Sequence, residues 1–432
     1  MRDLVRRYAG SVEQLARAER VIPLGAQTFS KSRTQYPLGA APLFAVRSQG
    51  SRTWDVDGNE YVDLVSSLGA VVLGYGDPEI NEAVTRQLAS GVSLSLSHPI
   101  EEQVAAQLVD LVPSAEMVRF AKNGTDATSA AIRLARAATG RDHVIALGYH
   151  GWQDWYIGST TRSLGVPVAT QALTHAVPYN DLAAIERVVA DFPGAVAALI
   201  MEPMTSTFPD PGYLEAVRSL TQRHGIVLVF DEMLTGFRLA PGGAQEYFGI
   251  TPDLSAFGKG LANGFPLSAV AGRRDLMMLM EDIFFSGTYG GETLSLAAAS
   301  VVLARMATGE PTKVLADIGE RLVSAIDAAR SPGSRAFLDF TGHPAWSFLK
   351  WTVADATTLN EVKTLFLQEV LRRGVLVLNT HDVTTVFTDD DIAHIAQAYA
   401  GALAVIEEAL AEGDVVGRLE CQTLVPLFTL RT

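Results

Sequence analysis

Between about residue 77 and residue 300 the chain repeats one alternation. An amphipathic stretch with helical spacing is followed by a short run that is apolar on both faces. Runs such as VAALIM (196–201) and GIVLVFD (225–231) leave no polar face, which is how a parallel strand covered on both sides reads. The spacing predicts helices over 77–90, 100–112, 126–139 and 211–224. It predicts strands over 117–121, 143–147, 195–201, 226–231 and 269–271. Such alternation implies an α/β fold with a mainly parallel central sheet and helices on both faces.

The flanks read differently. Residues 44–64 alternate with a period of two around the turn signals QGS and DVDGN, the pattern of a hairpin. The acidic turn DVDGNEYVD lacks the EF-hand spacing and reads as a turn, not a calcium loop. After residue 310 helices and strands mix as α+β, and the last helix, DDDIAHIAQAYAGALAVIEEAL, opens on an acidic cap. Three parts are therefore expected: an N-terminal helix and hairpin (1–60) packing with a C-terminal small α+β domain (310–432), and a large α/β domain (61–309) between them.

Composition narrows the function. The chain has 432 residues, 48% hydrophobic and 19% charged, enough for a large core. A net charge of −14 with scattered arginines argues against nucleic acid as a partner. Cys421 is the single cysteine, so there is neither an intrachain disulfide nor a cysteine metal site. The first 25 residues read as an amphipathic helix ending near Pro23 with no signal-peptide core, and no apolar run reaches membrane-spanning length. The expectation is a soluble cytoplasmic protein with no membrane partner.

Ligands of open α/β sheets bind at the carboxyl ends of the strands, so the residues there matter most. Asp231 closes an apolar run; alone it reads equally well as a helix cap, an ion-pair partner or a site carboxylate. Lys259 is one of six lysines and stands between glycines in AFGKGLANG. Apolar surroundings lower an amine's proton affinity and make it a nucleophile for carbonyls; the alternative is a lysine with its head in water. NGTD at 123–126 opens a helix after a strand, where unpaired amides near Gly124 and the Thr125 hydroxyl make an anion site, or where Thr125 is only a cap. Tyr149 and His150 follow another strand, and the tyrosine reads as a ring platform or a core residue. Phosphate cradle, aromatic platform, carboxylate and lysine together match the needs of pyridoxal phosphate.

These residues also carry a family resemblance. FDEMLTGFR…PDLSAFGKGLANGFPLSAVAG is similar to the signature of class III, fold-type I, pyridoxal-phosphate aminotransferases. WDVDGNEYVDL, NGTDATSAAIRLARAATGRD, YHGWQD, MEP (201–203) and SGTYGGETLSLAAA (286–299) extend it over nearly the whole chain. The nearest-looking branch is that of glutamate-1-semialdehyde 2,1-aminomutase. The resemblance implies that Lys259 carries the cofactor and moves the proton, that Asp231 binds its ring nitrogen, and that Tyr149 and Met233 lie on its two faces. It implies that Gly124 and Thr125 hold the phosphate and that Glu202 supports Asp231. It also implies a homodimer with shared active sites, in which Thr288 reaches the neighbouring subunit's phosphate.

Substrate signals are sparser. Arg33 in the N-terminal loop and His150 are expected at the substrate, while NTHDVTTVFTDDDI has no arginine where related branches show one. An arginine fork is the usual holder of a carboxylate, and TFSKSRTQYP is rich in hydroxyl and amide groups that suit a polyol. The reading is an aminotransferase moving an amino group from an amino-acid donor to an aldehyde or ketone acceptor, such as a sugar. The alternatives are glutamate-1-semialdehyde 2,1-aminomutase and an epimerase or racemase on the same fold.

Overall fold

The computed structural model describes residues 7–425, which fall into two compact units. Pro78–Lys313 form one; the described parts of Met1–Asp77 and Val314–Leu427 form the other. The lines fall after Asp77 and after Lys313, against 60 and 309 in the sequence reading.

The unit Pro78–Lys313 is built on a seven-stranded sheet. Its spatial order is Met117–Ala121, Ser268–Gly272, Leu254–Phe257, Val227–Asp231, Val196–Met201, His143–Leu147 and Thr174–Ala176. Ser268–Gly272 runs antiparallel to both neighbours; the other pairings are parallel. Six strands therefore end on one edge. Every residue of Val196–Met201 and Val227–Asp231 is buried, as their double apolar faces require. Leu254–Phe257 and Thr174–Ala176 have four and three residues, too few for any periodicity to show in the sequence.

The helix Gly124–Thr139 covers the sheet with a face of small residues, Ala127, Ala130, Ala131 and Ala135 among them, so that its backbone lies close to the strands. Its start is set by the Asp126 carboxylate, which accepts from the Asn123 amide at 2.8 Å. Gly140, at φ 65°, ends it in the left-handed region that glycine adopts without strain.

Asp253 fastens the strand that leads to Lys259. Its carboxylate accepts two bonds from Arg218 (2.8 and 2.9 Å), one from Arg273 (3.0 Å) and one from the Leu228 amide (2.9 Å). Burial raises this carboxyl's pKa, but the arginine and amide bonds outweigh it and hold the group below its usual range. A depressed carboxyl stabilises the fold above its unfolded pKa of about 4 and loses that contribution as pH falls toward the folded value. Asp253→Asn is expected to lower stability by about 2 kcal/mol at pH 7, discounted because Arg273 is half exposed. Thermal unfolding of both proteins at pH 7 and pH 3.5 checks this: the gap should narrow at the lower pH.

In the other unit the hairpin Ala45–Gln49 and Arg52–Asp55 continues into Glu60–Asp63, which pairs in parallel with Val375–Leu376. The run VLVLN thus yields a strand of only two residues. The acidic turn is satisfied from within. Asp55 accepts from the amides of Asp57 and Asn59, the Asn59 side chain and the Tyr61 hydroxyl. Asp57 caps the helix Ala9–Ala18 through the amides of Gly10 and Ser11. Two long helices, Ala356–Arg372 and Asp389–Glu412, supply much of the core. No helix among the described residues is long and apolar enough to cross a membrane.

Candidate active site

Three neighbouring parallel strands deliver three charged side chains to one edge of the sheet. Val196–Met201 is followed by Glu202, Val227–Asp231 ends on Asp231, and Leu254–Phe257 is followed one residue later by Lys259. His143–Leu147 leads to Tyr149 and His150 on the same edge, and Met117–Ala121 leads to the Gly124–Thr125 turn.

Asp231 is buried, 3% exposed, and its carboxylate has two partners. Oδ1 accepts from the Met233 amide at 3.1 Å, and Oδ2 lies 2.8 Å from His150 Nδ1. His150 Nε2 lies 3.1 Å from the Leu147 carbonyl oxygen. A carbonyl only accepts, so Nε2 donates to it, and Nδ1 is the nitrogen that faces the Asp231 carboxylate. The ring is 1% exposed, close to Trp155 and Tyr156, and its own carbonyl accepts from Thr128 Oγ1 at 2.9 Å. The expectation that His150 meets the substrate is thereby corrected. Both its nitrogens are engaged inside the protein, and it stands behind Asp231.

Lys259 has φ 44°, a left-handed conformation that costs a non-glycine residue on the order of 1 kcal/mol. It lies between the buried Gly258 and Gly260, as the first residue of a single short turn, Lys259–Ala262. Met233 joins this turn to the anion-type turn. A Cβ on Gly258 would lie 2.7 Å from Met233 Sδ, and one on Gly124 would lie 2.8 Å from it. A side chain at either glycine would displace the thioether from between the two backbones.

Thr125 begins the helix whose first amides have no partner within it. Its Oγ1 is buried and has no hydrogen-bond partner among the described residues. A buried unpaired hydroxyl costs about 1–3 kcal/mol unless a ligand fills it. Gly151, at φ 103°, closes over that hydroxyl: a Cβ there would come within 2.5 Å of it. Tyr149 is half exposed and meets Tyr156 edge-on at 5.6 Å. Burial, and then the Asp231 charge, raise its phenol pKa.

Glu202 is partly buried, and its Oε1 accepts from the Tyr149 amide at 2.8 Å. Burial foremost, then the Asp231 charge, raise its pKa, while His150, the Tyr149 amide and Lys259 lower it. Gly148 makes room for it, since a Cβ there would lie 2.5 Å from Oε1. Thr288 is exposed on a loop and lines a cavity of about 700 Å³ with Phe120, Lys122 and Asp126. Arg33 belongs to the other unit, where its Nε lies 2.7 Å from Glu19. In that unit Lys31, not Arg33, lines a cavity of about 270 Å³.

Sequence reasoning passed over Glu232, which is 0% exposed and accepts from Thr235 Oγ1, the Ala244 and Gln245 amides and the Gln245 side chain. Burial raises its pKa. Its work is to pin the start of the short helix Ala244–Phe248 beneath the sheet edge. A carboxylate directly after Asp231 in a run that ends in glycine was the available signal.

These residues fit pyridoxal phosphate. The open Thr125 hydroxyl and free amides suit a phosphate, Asp231 suits a protonated ring nitrogen, the Tyr149 ring a flat partner and Lys259 a carbonyl carbon. The known proteins agree. The chain is 38% identical to a glutamate-1-semialdehyde 2,1-aminomutase of Syntrophobacter fumaroxidans, over 83% of this chain and 88% of that one. It is 31% identical to a 3-aminobutyryl-CoA aminotransferase of Cloacimonas acidaminovorans, over 94% and 99%. The structure matches the pyridoxal-phosphate form of the FumI protein of Sphingopyxis sp. MTA144 with a TM-score of 0.86, 27% identity and coverage of 96% and 98%. The profile of the class-III aminotransferases matches residues 35–403, and the chain belongs to that pyridoxal-phosphate-dependent family.

Proposed function

We propose that this chain is an aminotransferase that moves an amino group from an amino-acid donor to an aldehyde or ketone acceptor, with a sugar or related polyol as the acceptor class. The observation that carries the reading is the placing of Lys259, on a left-handed turn, at the strand end beside Asp231 and its buried His150. The bound cofactor supplies an electron-withdrawing ring that stabilises negative charge on the carbon next to the amino nitrogen. Lys259 Nζ holds the cofactor and moves the proton at the substrate's reacting carbon. Asp231 pairs with the ring nitrogen, and His150 holds the Asp231 carboxylate in place. Thr125 Oγ1 and the amides near Gly124 bind the phosphate, Tyr149 and Met233 face the ring, and Glu202 stands at its side. The acceptor class is supported by the hydroxyl- and amide-rich loop around Arg33. The assembly we propose is a homodimer in which Thr288 serves the neighbouring site; Phe284, 81% exposed, and Tyr289, 61% exposed, support an interface on that loop.

A second reading is glutamate-1-semialdehyde 2,1-aminomutase, favoured by the 38% identity to a protein of that name. The visible spectrum of the purified holoenzyme separates them. A yellow band that shifts on addition of L-glutamate or L-alanine is the result expected of an aminotransferase. Turnover of the semialdehyde alone, with no shift by any amino acid, would establish the mutase.

A further inference from the structure

The carboxylates at this sheet edge differ in how fully they are paired. Asp231 has two partners and Glu232 four, and both are buried. Glu202 has one. Its Oε1 is held by the Tyr149 amide, tucked against Gly148. Its other carboxylate oxygen makes no hydrogen bond, and the side chain forms no ion pair among the described residues. The Asp231 charge raises its pKa after burial, and His150 and Lys259 lower it. It is partly buried, at the end of the strand next to Asp231's.

A half-desolvated carboxylate with a free lone pair beside another carboxylate is unfavourable. A donor supplied by a ligand relieves it; a ligand carboxylate aggravates it. Building on the aminotransferase reading, we propose that Glu202 is a specificity-determining residue. Its free Oε2 accepts a hydrogen bond from a hydroxyl or ammonium group that the substrate carries beside its reacting amine or carbonyl. It disfavours substrates that place a second carboxylate there. The substrate class is then an amino alcohol, amino sugar or diamine in its aminated form.

The test uses the holoenzyme and Glu202→Gln, which keeps an oxygen for the Tyr149 amide and removes the charge. Three amines are compared in the half-reaction followed by absorbance: 2-amino-1,3-propanediol, isopropylamine and L-glutamate. In the parent protein the diol should have a KM about tenfold below that of isopropylamine, the worth of one charge-assisted hydrogen bond. In the variant that advantage should shrink to about twofold or less. Calorimetry with unreactive glutarate supplies a readout apart from turnover. Its Kd should fall about tenfold in Glu202→Gln as the repulsion is removed.

An unchanged preference for the diol and an unchanged glutarate Kd would overturn the role of Glu202 while leaving the aminotransferase reading intact. An equal loss for all three amines would also overturn it, because that marks a structural effect. No spectral response to any amine by a holoenzyme that has bound pyridoxal phosphate would instead overturn the aminotransferase reading, and this proposal with it.

Discussion

Lys259→Ala is expected to lower turnover by about 10⁴-fold or more, because it removes both the group that holds the cofactor and the base that moves the substrate proton. No other amine stands ready to replace it. Lys122, the other lysine of this unit that follows a strand, lies 2.9 Å from Glu292 in an ion pair and lines the cavity around Thr288. The fold should survive, since alanine removes only side-chain atoms from a partly buried position. Two measurements check the result. Dialysis should strip pyridoxal phosphate from the variant faster than from the parent protein, and the single-turnover rate with an amino-acid donor should collapse. Added ethylamine should restore part of that rate, because a free amine then does the proton transfer. Activity within tenfold of the parent protein would show that Lys259 is not the catalytic amine.

Asp231→Asn is expected to cost about 10²–10³-fold in the same single-turnover rate, the scale on which a charge aimed at the reacting system is felt. An amide has almost the shape of the carboxylate but cannot hold a proton on the ring nitrogen. It also puts a neutral group where the buried His150 Nδ1 faces a carboxylate at 2.8 Å. The two residues act as one unit. Asp231→Asn combined with His150→Asn should therefore lose little more rate than Asp231→Asn alone, well short of the product of the single effects. His150→Asn alone, measured for rate and for the pH dependence of the cofactor band, should shift that profile. Additive effects, with no shift of the profile, would mean that His150 only fills space.

Much of the site was legible because its residues stand where a period breaks. Asp231 ends a run with two apolar faces, Lys259 is a rare lysine between glycines, and Thr125 opens a helix straight after a strand. Each could be read without a partner in view. His150 could not. Its place next to Tyr149 gives its position along the chain but not its direction, and only the folded loop shows the ring turned back beneath Asp231. The ion pair of Arg33 with Glu19 is likewise a tertiary outcome that its loop sequence does not show. The strands Leu254–Phe257 and Thr174–Ala176 were hidden because their pairing, not their composition, makes them strands.

The order of apolar runs and turn-formers along the chain was enough to determine an α/β sheet with its chemistry at the strand ends, because burial on two faces and the period of a helix are local properties. The family was within reach through the resemblance of its signature segments, and the cofactor through the residue types at the strand ends. The tertiary structure alone decided which side chains share a hydrogen bond. It put Met233 between Gly124 and Gly258, left the Thr125 hydroxyl open, and gave Glu202 one partner where Glu232 has four. Those outcomes depend on the register of parallel strands far apart in sequence, and hydrogen bonds made across that distance leave no trace in local spacing.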